Sequence, residues 1–355
     1  MQESTRSGPA RRPGRPGTAR LGLCAAVAAV GIAVAGCLPG GGTSGGPGPA
    51  VPTSPAGPVP PGSSSAPPPS VPPVTGSSTP PAPASPSTPP SSPASSTPPP
   101  SPPPVAAAAR KGVSVWEFGG LQKALTDVGV SWYYNWAATP PGKLTAPPGV
   151  QFVPMIWGAG SVTDANLKNA SAQGDTILGF NEPDLGGQAN MTVDAALDLW
   201  PQLQATGKRL GSPAVASGGA DAGGWLDRFL TGAKQRGYRV DFITLHWYGG
   251  DFDAARATGQ LQSYLQAVYN RYHLPIWLTE YALMDFSGGT ARAPSTAQQA
   301  AFVTSSTTML ESLPFIGRYA WFALPATSGS LTGLYDEQGN PNAAGVAYRR
   351  AGTAR

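Results

Sequence analysis

The chain has 355 residues and a formal net charge of +4, with 23 Lys and Arg against 19 Asp and Glu. The first 36 residues hold five arginines against one acid, so the whole excess sits there and the remainder is neutral. Overall basicity is therefore excluded as an argument for a nucleic acid or another polyanionic partner.

Arg6, Arg11, Arg12, Arg15 and Arg20 precede or border LGLCAAVAAVGIAVAG, an apolar run over 21–36. A basic stretch followed by a short apolar run reads as a targeting segment. At about 16 residues it is shorter than the roughly 20 that a spanning helix needs. It ends in Val34, Ala35, Gly36 and Cys37. That ending resembles the lipobox of bacterial lipoproteins: an aliphatic residue, two small ones, then the cysteine that receives lipid. Residues 1–36 are expected to be a lipoprotein-type signal peptide and Cys37 the lipidation site. An uncleaved anchor and ordinary cleavage after Ala-x-Ala are the alternatives. The mature protein is then expected outside the cell, anchored to the membrane through its lipid, or secreted. The other cysteine, Cys24, lies inside the apolar run, so no disulfide is expected after processing.

Residues 38–104 carry no charge and are almost all Pro, Ser, Gly, Thr, Ala and Val. Such a stretch has little apolar surface to set against its chain entropy, so 37–109 is expected to be a disordered tether. Its proline density favours polyproline II at about 3.1 Å per residue, a reach on the order of 200 Å. From about Lys111 the composition becomes globular, and 110–355 is long enough for one large core.

Eight β-branched or aromatic runs follow in chain order, at 112–118, 130–136, 151–158, 176–183, 209–215, 241–248, 275–282 and 318–325. Helical patterns fall between most of them. Residues 192–207 begin near a Thr cap and end at a glycine, despite Pro201 inside. Residues 223–237 space Trp225, Phe229 and Leu230; residues 260–273 place Leu261, Leu265 and Val268 on one face; residues 295–313 form a further capped helix. The Pro- and Gly-rich stretch 137–150 gives no helix. Strands alternating with helices argue for parallel βαβ units, and eight of them for an α/β fold closed as a (β/α)8 TIM barrel.

LGFNEPD (178–184) starts as a buried strand and ends in Asn181, Glu182, Pro183 and Asp184. IWLTEYAL (276–283) carries Glu280 in the same way. In this fold the active site lies at the C-terminal ends of the strands. Two carboxylates facing each other across a barrel mouth suit glycoside hydrolysis, one as acid and the other as nucleophile. A single Glu at a strand end is more often a cap or an ion-pair partner; two of them, on strands four and seven and flanked by aromatics, favour chemistry.

WYYNW (132–136), FVPMIWG (152–158), LGFNEPD, DFITLHWY (241–248), IWLTEYA and RYAWF (318–322) together resemble the Asl1-like glycosyl hydrolase domain, glycoside hydrolase family 128 of clan A. The resemblance implies a retaining endo-β-1,3-glucanase that works without metal or cofactor. It makes Glu182 the acid/base, with a raised pKa, and Glu280 the ionised nucleophile. It also implies that Asn181 meets the sugar 2-OH.

The aromatics Trp136, Trp157, Trp247, Tyr248, Tyr281 and Trp321 fall near strand ends, where sugar faces could stack. Alternation along DFITLHWY sends His246 and Tyr248 to one side and Trp247 to the other, and favours the first pair for the site. Asn135, Trp136, Trp157, His246, Tyr248 and Trp321 are thus expected substrate contacts beside Asn181. Asp184, Asp285 and Asp336 are expected as solvated loop acids. The two histidines, His246 and His273, lie far apart and no cysteines cluster, so no metal spacing is present. No G-x-S-x-G elbow supports a serine hydrolase. The expected partner is β-1,3-glucan, with no nucleic acid, and the protein is expected as a monomer. A non-catalytic glucan- or wall-binding barrel and a glycosidase for another β-linked polysaccharide are the rival readings.

Overall fold

A computed structural model describes residues 110–327 and 330–352. The signal peptide, Cys37 and the tether lie outside the described residues. Eight parallel strands alternate with helices, except that the third follows the second with no helix between them. They are β1 (Lys111–Ser114), β2 (Trp132–Tyr134), β3 (Gln151–Phe152), β4 (Thr176–Ile177), β5 (Arg209–Leu210), β6 (Ile243–Gly249), β7 (Ile276–Leu283) and β8 (Ile316–Trp321). Six form one sheet in the order β3-β2-β1-β8-β7-β6, and β4 pairs with β5. Parallel bridges Met155 to Leu178 and Gly211 to Phe242 join the two groups, so the strands follow one another in a cycle.

The helices are α1 (Leu121–Asp127), α2 (Asp164–Ala172), α3 (Val193–Gln204), α4 (Trp225–Gln235), α5 (Ala254–Tyr272), α6 (Thr296–Ser312) and α7 (Ala343–Arg350). Four fall where the sequence places helices, and three of them, α3, α4 and α6, also begin there. Thr192 caps α3, and Ser295 with Gln298 forms a full capping box on α6. α5 starts six residues earlier than its apolar stripe suggests, because Asp253 caps it at the Arg256 N–H. In α4 the fully buried face is Leu226, Phe229 and Ala233, with Trp225 and Leu230 at its flanks. Among the described residues no helix is long and apolar enough to cross a membrane.

Two layers of core result. Ile243, Leu245, Ile276, Leu278, Tyr319 and Trp321 face outward and meet helix side chains such as Leu261, Leu265, Phe302 and Tyr348. Trp132, Tyr134, Met155, Leu178, Phe242, Trp277 and Ala320 form a separate cluster inside the ring. A side chain at Gly112 would run into Trp132 at 2.2 Å, so only glycine leaves room for that indole. The lower interior is closed by stacking: Phe242 lies 4.3 Å from Trp277, and the Arg318 guanidinium lies 4.5 Å over Trp277. Burial pushes Arg318 down to about 10. Lys111 ties the first strand to the last helix by donating to the Tyr348 carbonyl at 2.8 Å.

Candidate active site

The carboxylates Glu182 and Glu280 come together at the C-terminal ends of the strands, both fully buried. Glu182 follows the last bridge of its strand, Asn181 to Ala214, and takes a positive φ of 42°. Trp136, just past β2, does the same with φ 60°. Non-glycine residues seldom adopt this region, and such strain is held where surrounding contacts fix it. For Glu182 one such contact is its N–H, which donates to the Ala214 carbonyl at 2.7 Å.

His246 lies between the two acids. Its Nδ1 is 2.8 Å from Glu182 Oε1, and its Nε2 is 3.5 Å from Glu280 Oε1. Burial lowers the His246 pKa, but the charge of Glu280, the hydrogen bond with Glu182 and the charge of Glu182 outweigh it, and the net shift is upward. Glu280 collects donors from two other side chains at one oxygen: Trp136 Nε1 at 2.8 Å and the Tyr134 hydroxyl at 3.2 Å both reach Oε1. The Tyr248 hydroxyl donates to Oε2 at 2.6 Å. Sequence reasoning placed a raised carboxyl at the acid; the structure pushes Glu280 up. Burial dominates there, reinforced by Glu182 and opposed by His246, Tyr248 and Trp136.

A β-bulge delivers Glu280 to this cluster. Leu245 pairs with Leu278, but His246 pairs with Glu280, so Thr279 is an extra residue on β7. Without it Glu280 would share the outward face of Ile276 and Leu278. Alternation on β6 is regular as expected: His246 and Tyr248 reach the acids, and Trp247 packs outward on Phe302.

Asn181 is fully buried, and its Nδ2 donates to Gln188 Oε1 at 3.3 Å. Its Oδ1 accepts no hydrogen bond among the described residues, which leaves an acceptor beside Glu182. Trp157 is half-buried against the interior cluster. One expected contact is corrected. Trp321 is fully buried on the outward face, edge-on to Tyr281, and its indole donates to the Thr332 carbonyl at 2.8 Å. Asn135 uses its amide on its own loop: it donates to the Thr139 carbonyl at 3.0 Å and accepts from the Ala137 N–H at 3.3 Å. Tyr281 is likewise core. Of the loop acids, Asp184 is exposed and Asp336 shapes a turn by accepting from the Gln338 and Asn340 N–H groups. Asp285 is instead buried against Ser287 and Arg292, and these donors, the Ser287 N–H first, hold its carboxyl down to about 2.

Sequence reasoning missed Tyr134, Trp116 and Phe322. Trp116 sits 6.3 Å from Trp136 and 6.1 Å from Phe322, and Tyr248 meets Phe322 edge-on, so these rings frame the mouth. Alternation marks two of them: Tyr134 lies between Trp132 and Trp136, and Phe322 follows Arg318 and Ala320. Glu182, His246 and Glu280 offer ligand atoms within 4.8 Å of one another, close enough for a cation. Both Glu280 oxygens, however, already face N–H and O–H donors, an arrangement built for a carboxylate rather than for a metal.

The family model described as glycosyl hydrolase catalytic core matches residues 115–348. Alkali-sensitive linkage protein 1 of Schizosaccharomyces pombe is 32% identical over 242 residues, 64% of this chain; the chain spans 42% of that relative's length. A solved GH128 (subgroup I) endo-β-1,3-glucanase from Amycolatopsis mediterranei, in complex with laminarihexaose, is 66% identical with a TM-score of 0.66. The match covers 68% of this chain and 99% of that one. A GH128 (subgroup II) endo-β-1,3-glucanase from Sorangium cellulosum is 32% identical with a TM-score of 0.56, over 68% of this chain and 98% of that one.

Proposed function

Because the chain belongs to the glycosyl hydrolase catalytic core family, within GH128, we propose that it is a retaining endo-β-1,3-glucanase on a (β/α)8 barrel. The observation that carries this reading is the pair Glu182 and Glu280, with carboxylate oxygens within 4.8 Å. Retaining enzymes hold their carboxyl groups about 5–5.5 Å apart, and inverting ones about 6.5–9.5 Å.

In the first step Glu182 gives its proton to the leaving glycosidic oxygen while a Glu280 oxygen bonds to the anomeric carbon. The carbon–oxygen bond to the departing chain breaks. In the second step Glu182, now a carboxylate, takes a proton from water as the water oxygen attacks the same carbon. The ester to Glu280 breaks, Glu280 leaves ionised and Glu182 is protonated again. Trp136, Tyr134 and Tyr248 stabilise the ionised nucleophile. The vacant Asn181 Oδ1 accepts the 2-OH of the sugar, and Trp157, with the rings at the mouth, lines the glucan path.

The test is reducing-sugar release from laminarin and curdlan by residues 105–355, beside Glu182→Gln and Glu280→Gln. Cutting by the wild type and loss in both folded variants is expected. A folded wild type that binds glucan without cutting it would make the barrel a binding module. Cutting of mannan alone would overturn the substrate.

The N-terminal segments extend the same proposal. Residues 1–36 are a signal peptide, Cys37 takes the lipid, and 37–109 hold a monomeric domain away from the membrane. The support is the sequence pattern. Labelling of the full chain by radioactive palmitate, lost in Cys37→Ala, is the expected result.

A further inference from the structure

Glu280 points inward only because of the Thr279 bulge. Thr279 has no partner on β6 in the register, so its polar groups need other contacts. The Thr279 hydroxyl donates to the Leu245 carbonyl at 3.2 Å, which holds the bulge to β6. The Thr279 carbonyl accepts from the Tyr134 hydroxyl at 2.9 Å. The same hydroxyl lies 3.2 Å from Glu280 Oε1. Tyr134 reaches across the ring from the last position of β2, fully buried. Trp132 stacks on one side at 5.9 Å and Trp136 stands edge-on at 5.2 Å, so the ring has little freedom.

We propose that Tyr134 is a positioning residue for Glu280, its hydroxyl pinning the bulge carbonyl and the nucleophile carboxylate together. This rests on Glu280 being the nucleophile of the proposed hydrolysis. A phenol has one proton and here it faces two acceptors. When Glu280 is ionised, the proton turns to the carboxylate. When Glu280 is an ester, that oxygen has lost its charge and the proton returns to the Thr279 carbonyl. Tyr134 thus follows the charge on the nucleophile while keeping the bulge fixed. Burial, then the charge of Glu280, holds the Tyr134 pKa well above the ordinary phenol value, so it remains a donor. The other groups facing Glu280 are His246 and Tyr248 from β6, Trp136 and, from the end of β4, Glu182.

The experiment compares wild type with Tyr134→Phe, which keeps the ring. It reads kcat and KM on laminarin from pH 4 to 9, thermal melts, and the carbon-13 titration of the Glu280 carboxyl. A fall in kcat of about 10- to 100-fold is expected, with KM within about two-fold. The acid limb of kcat/KM and the Glu280 titration should both move up, since a donor to the charged form is gone. Placing 3-fluorotyrosine at position 134, a stronger donor, should restore kcat and move both downward. A folded Tyr134→Phe with unchanged rate and unchanged titration overturns the proposal. So does a lower melting temperature with an unmoved acid limb, which would make the hydroxyl merely structural. If Tyr134→Phe does not fold, the fluorinated chain decides, and an unmoved limb there overturns it. If the wild type cuts no β-1,3-glucan, the proposed activity fails, and the Glu280 titration alone decides on Tyr134.

Discussion

The two ends of the ring's interior hold opposite charges by different means. At the lower end Arg318 lies over the faces of Trp277 and Trp132 and donates to Gln151 Oε1 at 2.8 Å. At the mouth, Glu182 and Glu280 are held by hydrogen bonds and by a shared imidazole. The guanidinium has two aromatic faces and one amide as partners while its Nη1 meets no acceptor among the described residues, and a cation held in this way offers no acid or nucleophile. A carboxylate needs N–H and O–H donors, and those donors also tune its pKa. Facing inward is therefore common to both ends, and chemistry belongs to the end where the donors converge.

The largest effect that separates the ends is Glu280→Gln. A loss of about 10⁴-fold or more in kcat is expected for removing the proposed nucleophile. Stability should move the other way. The folded pKa of Glu280 stands above its ordinary value of 4.5, so the fold favours the neutral carboxyl. That contribution is complete below the unfolded pKa and is lost as pH rises through the folded one. His246, whose folded pKa is also raised, has the same sign. Glu280→Gln is thus expected to melt above wild type at pH 7.5, with the difference fading towards pH 4. Melting temperatures at the two pH values check this, and a variant less stable at pH 7.5 contradicts it.

The matching change at the other end is Trp277→Ala. Removing a buried indole costs about 3–5 kcal/mol, and the Arg318 guanidinium also loses its closest ring. Denaturant unfolding should show that loss, while kcat of the folded fraction stays within about three-fold. A collapse of kcat as well would mean that the lower packing sets the geometry of the acids, and the contrast between the ends would fail.

Tyr248→Phe is a smaller change, made at the mouth alone. It removes the donor 2.6 Å from Glu280 Oε2 and keeps the ring against Phe322. A kcat loss of about 10- to 100-fold is expected, with the acid limb of the pH profile displaced upward. An unmoved limb would show that Tyr248 does not tune Glu280.

Much of this arrangement is legible from residue types. Eight strands fall where the β-branched and aromatic runs are, and α3 and α6 start at Thr192 and Ser295, whose caps can be read directly. Simple alternation places His246 and Tyr248 correctly. It fails on β7, where counting from Trp277 would turn Glu280 outward, because nothing in IWLTEYAL marks Thr279 as the bulged residue. A bulge is a property of pairing between strands, and one strand's sequence does not carry it. The unread helices have physical reasons of their own. α1 begins after Gly120 with no side-chain cap, and α2 is polar, with Ala170 as its one fully buried residue. α2 lacks the apolar stripe by which helices are recognised, and α1 carries one, Leu121, Ala124 and Leu125, over only 7 residues.

Trp321 gives the smallest and sharpest test, because the sequence reading put it at the mouth and the structure puts it behind the ring. The alternation that sorted β6 also sorts β8: Arg318 and Ala320 face inward, whereas Tyr319 and Trp321 join the helix-facing core. Trp321→Phe keeps an aromatic ring among Tyr281, Phe302 and Tyr348 but loses the bond to the Thr332 carbonyl and leaves a small void. A cost of about 1–3 kcal/mol is expected from the unmet carbonyl and the void, with KM for laminari-oligosaccharides unchanged. Trp136→Phe makes the same chemical change where the indole donates to Glu280, and it should alter kcat and its pH dependence with little loss of stability. If instead Trp321→Phe raises KM about ten-fold, equivalent to 1.4 kcal/mol of binding, while its melting temperature holds, Trp321 contacts sugar, and alternation does not describe the end of β8.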